Sequence, residues 1–226
     1  MSDILNQISL CIEKGKVNQN SNFPVEMKGM KGAVELTEDA LLIGISAYEV
    51  LNIGFLTGMK IVGEKFKEGK IFLPEVLISA KAMSSSMELL KPYFKSGEIN
   101  YKGKVVMGTV AGDLHDIGKN IVKMVLEGGG WEVIDLGVNV TAEKFIEAIK
   151  INSVKIVGLS ALLTTTMQNM NDISAKIKAE INDVTVIVGG APVTKAFANS
   201  INADEYFPDP QGMLDYLNKK LLRNNL

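Results

Sequence analysis

The stretch GTVAGDLHDIGKN, residues 108–120, contains His115, the only histidine of the 226-residue chain. Asp113 lies two residues earlier, and glycines bracket the segment. A neutral imidazole binds a soft or borderline metal through one ring nitrogen, while its other N–H donates to a carboxylate that fixes the tautomer. Asp113 could be that carboxylate. Because the chain has one imidazole, a metal bound here must bring its other ligands with it, as the metal of a macrocycle does.

Each of these residues also has an ordinary structural interpretation. His115 could be an incidental loop residue, and Asp113 could cap a nearby helix or form an Asx turn. Thr166, in a downstream run of hydroxyls, could cap the helix that follows it. The sequence alone leaves these alternatives open.

Composition excludes several classes of function. The formal net charge is −2 with 22% charged residues, which gives no basic surface for nucleic acid or an anionic membrane. The single cysteine, Cys11, cannot form an internal disulfide, and no apolar block suits a signal peptide or a spanning helix. The sequence therefore predicts a cytoplasmic protein with neither nucleic-acid nor membrane partners.

The hydrophobic period changes near residue 98. Residues 1–97 carry apolar side chains at three- and four-residue spacing, with one long helical run over 37–69 and Pro92 near the end of the last helix. This predicts a cap domain of about four helices. Residues 98–226 alternate short β-branched runs with amphipathic segments, the pattern of βαβ units. The predicted strands are KVVMGTV, WEVIDLG, VKIVGLS, VTVIVGG and, more weakly, ADEYF.

The predicted fold class is thus α + α/β, with an N-terminal helical bundle cap before a flavodoxin- or Rossmann-like five-stranded parallel sheet. In such folds ligands bind at the carboxyl ends of the strands. The loops predicted at that edge hold one imidazole, two carboxylates, a row of hydroxyls and a glycine pair: residues 112–118, 160–166 and 189–191.

Three stretches resemble one family signature. In order and spacing they are similar to the D-x-H-x-x-G, S-x-L and G-G motifs of cobalamin-binding domains. The matching residues are Asp113, His115 and Gly118, then Ser160 and Leu162, then Gly189 and Gly190.

This resemblance implies roles for individual residues. His115 would be the lower axial ligand of the corrinoid cobalt, displacing the cofactor's own base, and Asp113 would be its hydrogen-bond partner. Thr166 stands where cobalamin-dependent methionine synthase has a serine that completes the relay. The residues implied to contact the cofactor are Gly112, Leu114, Asp116, Ile117, Gly118, Ser160, Leu162, Thr164, Gly189 and Gly190.

The helical half carries a second resemblance. The stretch MKIVGEKFKEGKIFLPEVLISAKAM, residues 59–83, is similar to the cap module that precedes the cobalamin domain in methionine synthase and in small corrinoid proteins. The resemblance implies that Phe66, Leu73 and the neighbouring Val76 cover the upper face of the corrin. A dry apolar cover would shield a methyl–cobalt bond from water.

Together these resemblances imply a vitamin B12-dependent protein of anaerobic one-carbon metabolism. It would accept a methyl group on cob(I)alamin from a substrate-specific methyltransferase and hand it to a second methyltransferase, which transfers it to a thiol or a pterin. A reductive activation protein would be a further partner. The chain would be a corrinoid subunit that does not catalyse transfer without these enzymes. The alternative is a cobalamin-dependent sensor.

Overall fold

The computed structural model describes residues 2–224. The chain divides into two compact units. One comprises the residues up to Tyr101 together with Glu127–Gly130, and the other comprises Lys102–Leu126 and the residues from Trp131 onward.

The first unit is helical, as predicted. Its α-helices are α1 Ser2–Lys14, α2 Ala33–Leu42, α3 Ala47–Glu49, α4 Leu56–Lys67, α5 Leu73–Met87 and α6 Lys91–Ser96. Short 3₁₀ turns at Val25–Met27 and Glu88–Leu90 and a π-helical turn at Val50–Phe55 connect them. Across residues 2–224, no helix combines the length and the apolar character that crossing a bilayer requires.

Helix α1 is at the centre of this unit and packs against α2, α4 and α5. Its apolar residues Ile8 and Ile12 are fully buried. The approach of α4 is close because Gly58 lies against α1: a Cβ at this position would be 2.7 Å from the carbonyl oxygen of Ser9. The predicted four-helix arrangement therefore corresponds to the four longest helices of the unit.

The long helical run predicted over residues 37–69 is interrupted. Ser46 and Glu49 form a capping box, in which each side chain accepts a hydrogen bond from the other residue's backbone N–H, and a new helix starts there. Pro92 also differs from expectation. It lies in the first turn of α6, where its missing N–H costs nothing, and Gly97 ends that helix in the left-handed conformation.

The second unit is the predicted five-stranded parallel sheet. Its strands are β1 Lys104–Thr109, β2 Glu132–Asp135, β3 Ile156–Ser160, β4 Thr185–Gly189 and β5 Glu205–Tyr206, in the order β2-β1-β3-β4-β5. The helices are α7 Ile117–Gly128, α8 Ala142–Asn152, α9 Met167–Glu180, α10 Lys195–Ser200 and α11 Pro210–Asn224.

The strand order decides which face each helix covers. From β1 the chain moves to β2 on one side, then returns past β1 to β3, β4 and β5. Since parallel crossovers are right-handed, this reversal places α7 on one face and α8, α9 and α10 on the other. The second face carries a continuous core, in which Phe145, Met170 and Ala198 from these three helices pack with Val157 and Val186 of the sheet.

Candidate metal centre

The predicted site residues lie at or after the carboxyl ends of β1, β3 and β4, which are neighbours in the sheet. Thr109, Ser160 and Gly189, at the ends of β1, β3 and β4, are paired in register. The strand order reverses between β1 and β3, so the loops after these two strands diverge and leave a crevice at the carboxyl edge. The β1 loop carries His115 and the β3 loop carries Thr166.

At this edge of the sheet, the side chain of Asp113 connects the β1 loop to the β3 loop by hydrogen bonds. Its side chain is fully buried, and one carboxylate oxygen, Oδ2, accepts three hydrogen bonds from the β3 loop. The donors are the backbone N–H groups of Leu162 at 2.8 Å and Leu163 at 3.2 Å and the hydroxyl of Thr166 at 2.7 Å. The other oxygen, Oδ1, contacts His115.

That second oxygen holds His115 in two ways. It accepts the backbone N–H of His115 at 3.0 Å and lies 2.8 Å from the ring nitrogen Nδ1. A carboxylate accepts hydrogen bonds, so Nδ1 carries the proton and Nε2 of the neutral ring presents its lone pair. Within residues 2–224, Nε2 has no hydrogen-bond partner, and the His115 side chain is 49% exposed.

The charge of Asp113 is stabilised by these donors. Burial alone would raise the pKa of this carboxyl group. Hydrogen bonds from Thr166, from the backbone of Leu162 and from His115 outweigh burial and hold the pKa of Asp113 well below its usual range. The acceptor for the imidazole N–H is therefore an ionised carboxylate throughout the neutral pH range.

The structure also bears on the capping and Asx-turn interpretations that the sequence left open for Thr166 and Asp113. Thr166 precedes α9 at the N-cap position, but its side chain makes no capping hydrogen bond; the hydroxyl lies within bonding distance of Asp113 and of the Leu163 carbonyl. Its single proton is better placed on the charged acceptor. Asp113 does form an Asx-type contact with the His115 N–H, in addition to holding the ring.

Further residues that the sequence reasoning missed hold the main chain of the β1 loop. The hydroxyl of Thr109 donates to the carbonyl oxygen of His115 at 2.9 Å. Asn139, in the loop after β2, accepts the N–H of Gly112 through Oδ1 at 2.8 Å. Asn169, in the first turn of α9, donates through Nδ2 to the carbonyl oxygen of Ala111 at 2.7 Å. The sequence held only a weak indication of the role of Asn139, which follows the glycine that ends a predicted strand. It held no indication of the role of Asn169.

The predicted glycines fall into two groups. Gly112 has a φ of 81°, and a Cβ at Gly190 would overlap the carbonyl oxygen of Ala161 at 1.8 Å, so the fold itself requires these two. At Gly118 and Gly189 a Cβ would meet nothing within 4 Å. Nothing within the described chain demands glycine there, and both positions border open space that a ligand could approach closely.

Several apolar side chains of the β1 and β3 loops remain open to solvent. Leu114 and Ile117, predicted cofactor contacts, are 71% and 76% exposed, and Leu162 is also exposed. Leu163, which was not predicted, is exposed beside it. Large apolar side chains left in solvent around a polar centre mark a binding surface.

The remaining predicted contacts show no such clear arrangement. Asp116, the residue before α7, accepts a hydrogen bond from the side-chain amide of Asn120 at 3.0 Å. Ser160 is half-buried at the end of β3, and Thr164 is exposed at the start of a 3₁₀ turn. In the helical unit, Phe66 and Leu73 are half-buried, while Val76 is buried.

A corrinoid fits these residues. The unpartnered Nε2 of His115 offers one axial ligand, and the exposed leucines and isoleucine of the two loops offer apolar surface to a macrocycle. The glycine positions without a Cβ leave room for close approach. Among the described residues no three His, Cys, Asp or Glu side chains converge on a common metal position.

Comparison with known families supports a corrinoid as the ligand of this site. A family model described as a B12 binding domain matches residues 103–209, and a second model of the same description matches residues 30–91. The class of protein that the fold and site define is therefore a cobalamin-binding one.

Curated relatives narrow the class. The chain is 45% identical over 178 residues to trimethylamine corrinoid protein 1 of Methanosarcina acetivorans, covering 77% of this chain and 82% of the relative. It is 43% identical over 160 residues to dimethylamine corrinoid protein 3 of the same organism, covering 70% and 75% of the two chains. The chain belongs to the family of corrinoid proteins of methyltransferase systems. This confirms the predicted family, cofactor and methyl-carrier function.

Solved structures agree. A cobalamin-binding protein from Desulfitobacterium hafniense DCB-2 is similar with a TM-score of 0.69 and 29% identity, over 95% of this chain and 97% of that one. A chain of the methanol:cobalamin methyltransferase complex MtaBC from Methanosarcina barkeri is similar with a TM-score of 0.80 and 27% identity, over 97% of this chain and 80% of that one.

Proposed function

We propose that His115 is the lower axial ligand of the corrinoid cobalt and that the chain carries methyl groups on this cobalt between two partner methyltransferases. The observation that carries the proposal is the imidazole itself. Its Nδ1 is held by an ionised, buried Asp113, and its Nε2 has no hydrogen-bond partner among the described residues in a side chain that is half exposed.

The bound corrinoid supplies the nucleophilic chemistry of methyl transfer. The protein's part is to bind and orient it. Asp113 fixes the tautomer in which Nε2 is free to ligate and holds the orientation of the ring. Thr166 and the two backbone N–H groups of the β3 loop stabilise the charge of Asp113, so Asp113 remains an acceptor and does not take the imidazole proton outright.

The roles of the other predicted residues are part of the same proposal. Leu114, Ile117 and Leu162 provide apolar contact to the macrocycle, and Gly118 and Gly189 allow its close approach. In the cap domain, residues 1–97, Phe66 and Leu73 with Val76 beside them shield the methyl-bearing face. The cofactor-binding domain comprises residues 98–226.

The partners and the methyl donor are likewise proposed. The relatives named for trimethylamine and dimethylamine share 45% and 43% of their aligned residues with this chain, against 27% for the methanol complex. This favours a methylated amine as the substrate of the donor methyltransferase. An acceptor methyltransferase and a reductive activation protein would complete the system, in the cytoplasm.

The ligation proposal is tested by replacing His115 with glycine. Purified wild-type and His115→Gly chains are loaded with aquacobalamin, and the absorption spectrum and the electron paramagnetic resonance spectrum of the Co(II) form are recorded. The cofactor's own base also has a nitrogen that can bind cobalt, so the wild type is prepared with ¹⁵N-histidine as well, which labels only His115. We expect this label to change the nitrogen splitting of the wild type, and we expect His115→Gly to bind about tenfold or more weakly.

Added imidazole provides the control. It should occupy the space left in His115→Gly and restore nitrogen splitting, and ¹⁵N-imidazole should change the splitting pattern. An unchanged spectrum and affinity in His115→Gly would show that another group binds the cobalt.

A further inference from the structure

The turn that precedes Asp113 is held from two neighbouring elements. Asn139 reaches it from the loop after β2, and Asn169 reaches it from the first turn of α9. Neither residue touches His115 or Asp113 through its side chain. Both instead bond the backbone of residues 111–112, immediately before the carboxylate that orients the imidazole.

Asn139 contributes two hydrogen bonds to this turn. Its Oδ1 accepts the Gly112 N–H at 2.8 Å, and its own backbone N–H donates to the Asp113 carbonyl oxygen at 3.0 Å. The two bonds require a left-handed backbone at Asn139, with a φ of 53°. Asparagine is among the few residues with a side chain that adopt this conformation readily.

The side chain of Asn169 donates a hydrogen bond to the turn, whereas the side chain of Asn139 accepts one. Its Nδ2 donates to the Ala111 carbonyl oxygen at 2.7 Å, and the same nitrogen would be 3.3 Å from a Cβ at Gly112. The partners settle which amide atom faces the turn at both sites. A backbone N–H requires the oxygen of Asn139, and a carbonyl requires the nitrogen of Asn169.

These contacts matter because the rest of the relay leaves Asp113 little freedom. Its carboxylate is bound on the far side by the β3 loop, so a shift of its backbone would have to be absorbed in the bond to Nδ1 of His115. Ligand geometry must be held within about 0.5 Å for effective metal binding.

We propose that Asn139 and Asn169 are positioning residues that hold the Ala111–Asp113 turn so that Asp113 can orient His115 toward cobalt. The inference rests on the proposed ligation by His115. It assigns Asn139 a role as acceptor and Asn169 a role as donor.

Substitution of each asparagine by aspartate tests this assignment, because aspartate has nearly the same shape but can only accept. Asn139→Asp keeps the bond to the Gly112 N–H and should behave as the wild type. Asn169→Asp places a carboxylate oxygen against the Ala111 carbonyl oxygen and should displace the turn. We expect about tenfold weaker aquacobalamin binding for Asn169→Asp.

If Asn169 only stabilised helix α9, Asn169→Asp would not lower the stability of the apoprotein. Aspartate in the first turn of a helix is favourable for the helix dipole, so Asn169→Asp should leave the thermal midpoint of the apoprotein unchanged or higher if it acts only on α9. Asn171→Asp, which adds the same charge to the same helix, is the matched control and should bind cofactor as the wild type does.

The apoprotein supplies a readout independent of methyl transfer. Since His115 is the only histidine, its ¹⁵N resonances report its tautomer without overlap. We expect the Nδ1–H form in the wild type and in Asn139→Asp, and a mixture of tautomers in Asn169→Asp. Asn139→Gly should also shift these resonances, because it keeps the left-handed backbone but loses Oδ1. Asn202→Gly, at another left-handed asparagine, should not.

Wild-type resonances and affinity in Asn169→Asp, or equal losses in Asn139→Asp and Asn139→Gly, would overturn the inference. If Asn169→Asp does not fold, Asn169→Ala takes its place and must still weaken binding. Failure of the proposed function is distinguishable: ¹⁵N-histidine would then leave the cobalt nitrogen splitting of the wild type unchanged, while the apoprotein resonances would still decide the roles of the two asparagines.

Discussion

Two carboxylates, one buried and one partly buried, lie at the ends of neighbouring strands and have opposite arrangements. Asp135, the last residue of β2, bonds the ammonium group of Lys119 with both oxygens, at 2.7 and 2.8 Å, and the Lys119 side chain is only 2% exposed. Asp113, in the loop after β1, bonds an imidazole that is half exposed. Both have a pKa below the usual range.

The difference lies in what each carboxylate leaves available. The Lys119–Asp135 pair neutralises itself within the protein, and Lys119 also bonds Asn120 at 2.7 Å, so both charged groups have their partners within the fold. Asp113 is satisfied on one oxygen by donors from the β3 loop and directs the other to His115, whose second nitrogen remains open. We therefore interpret the first pair as structural and the second as functional.

The largest expected effect is on stability, at the Lys119–Asp135 pair. Lys119→Met removes the ammonium group and leaves Asp135 without its main partner, which should lower the free energy of unfolding by about 2–4 kcal/mol. The cofactor ligation of the folded fraction should be unchanged. Urea denaturation of the apoprotein and the spectrum of the loaded protein measure the two quantities.

Lys123→Met is the matched control for this prediction. Its ammonium group is 3.5 Å from Asp135 and more exposed, so its removal should cost no more than about 1 kcal/mol. Equal losses in the two variants would mean that burial of Lys119 has no energetic consequence.

The next effect should be on ligation, at Asp113. Asp113→Asn keeps the shape but removes the charge and places an NH₂ group against donors, so the His115 tautomer is no longer fixed. We expect about 10- to 100-fold weaker corrinoid binding. Titration with aquacobalamin measures it. Asp135→Asn is the matched control, which should destabilise the apoprotein and leave ligation of the cobalt intact. A loss of ligation in Asp135→Asn would contradict the interpretation of Lys119–Asp135 as structural and of Asp113–His115 as functional.

The sequence predicted most of the fold because its signals are local. Glycine and β-branched runs defined the five strands, and their alternation with helices predicted a parallel sheet. The break at Ser46 was missed although the S-x-x-E capping signal was present, since the apolar spacing continues across it. The Asp113–His115 pair was predictable for the same reason, because its members are only two positions apart in the sequence.

What the sequence could not predict depends on distant segments. Asn139 and Asn169 bond residues 27 and 58 positions away, and only the loop geometry brings them together. Lys119 lies in the first turn of an amphipathic helix, where a lysine is normally solvated. Its burial follows from β2 lying beside β1, which a sequence pattern does not specify.

A smaller effect is expected at Thr166, which contributes one of several donors to Asp113. Thr166→Val keeps the shape but removes the hydroxyl at 2.7 Å, which should cost the apoprotein about 1–2 kcal/mol and weaken ligation modestly. Thr166→Ser keeps the donor and should retain nearly wild-type ligation. Chemical denaturation and cofactor titration of the pair of variants test this. A serine variant as impaired as valine would mean that the methyl group, not the hydroxyl, is what matters.

The last effect appears only in acid. Because the pKa of Asp113 is lower in the folded chain than the value of about 3.9 for an unfolded aspartate, its contribution to stability is complete above that value. The contribution is lost as the pH falls toward the folded-state pKa, since the unfolded chain then binds the proton first. Asp135 contributes with the same sign.

Urea midpoints of the apoprotein between about pH 5 and pH 2 should therefore fall with acidification, and less steeply in Asp113→Asn and in Asp135→Asn than in the wild type. Thr166→Val should lie between the wild type and Asp113→Asn, because one of the donors that depress the pKa of Asp113 is gone. If Asp113→Asn were as acid-sensitive as the wild type, the carboxylate that orients His115 would not be the strongly stabilised anion that its five hydrogen-bond donors imply.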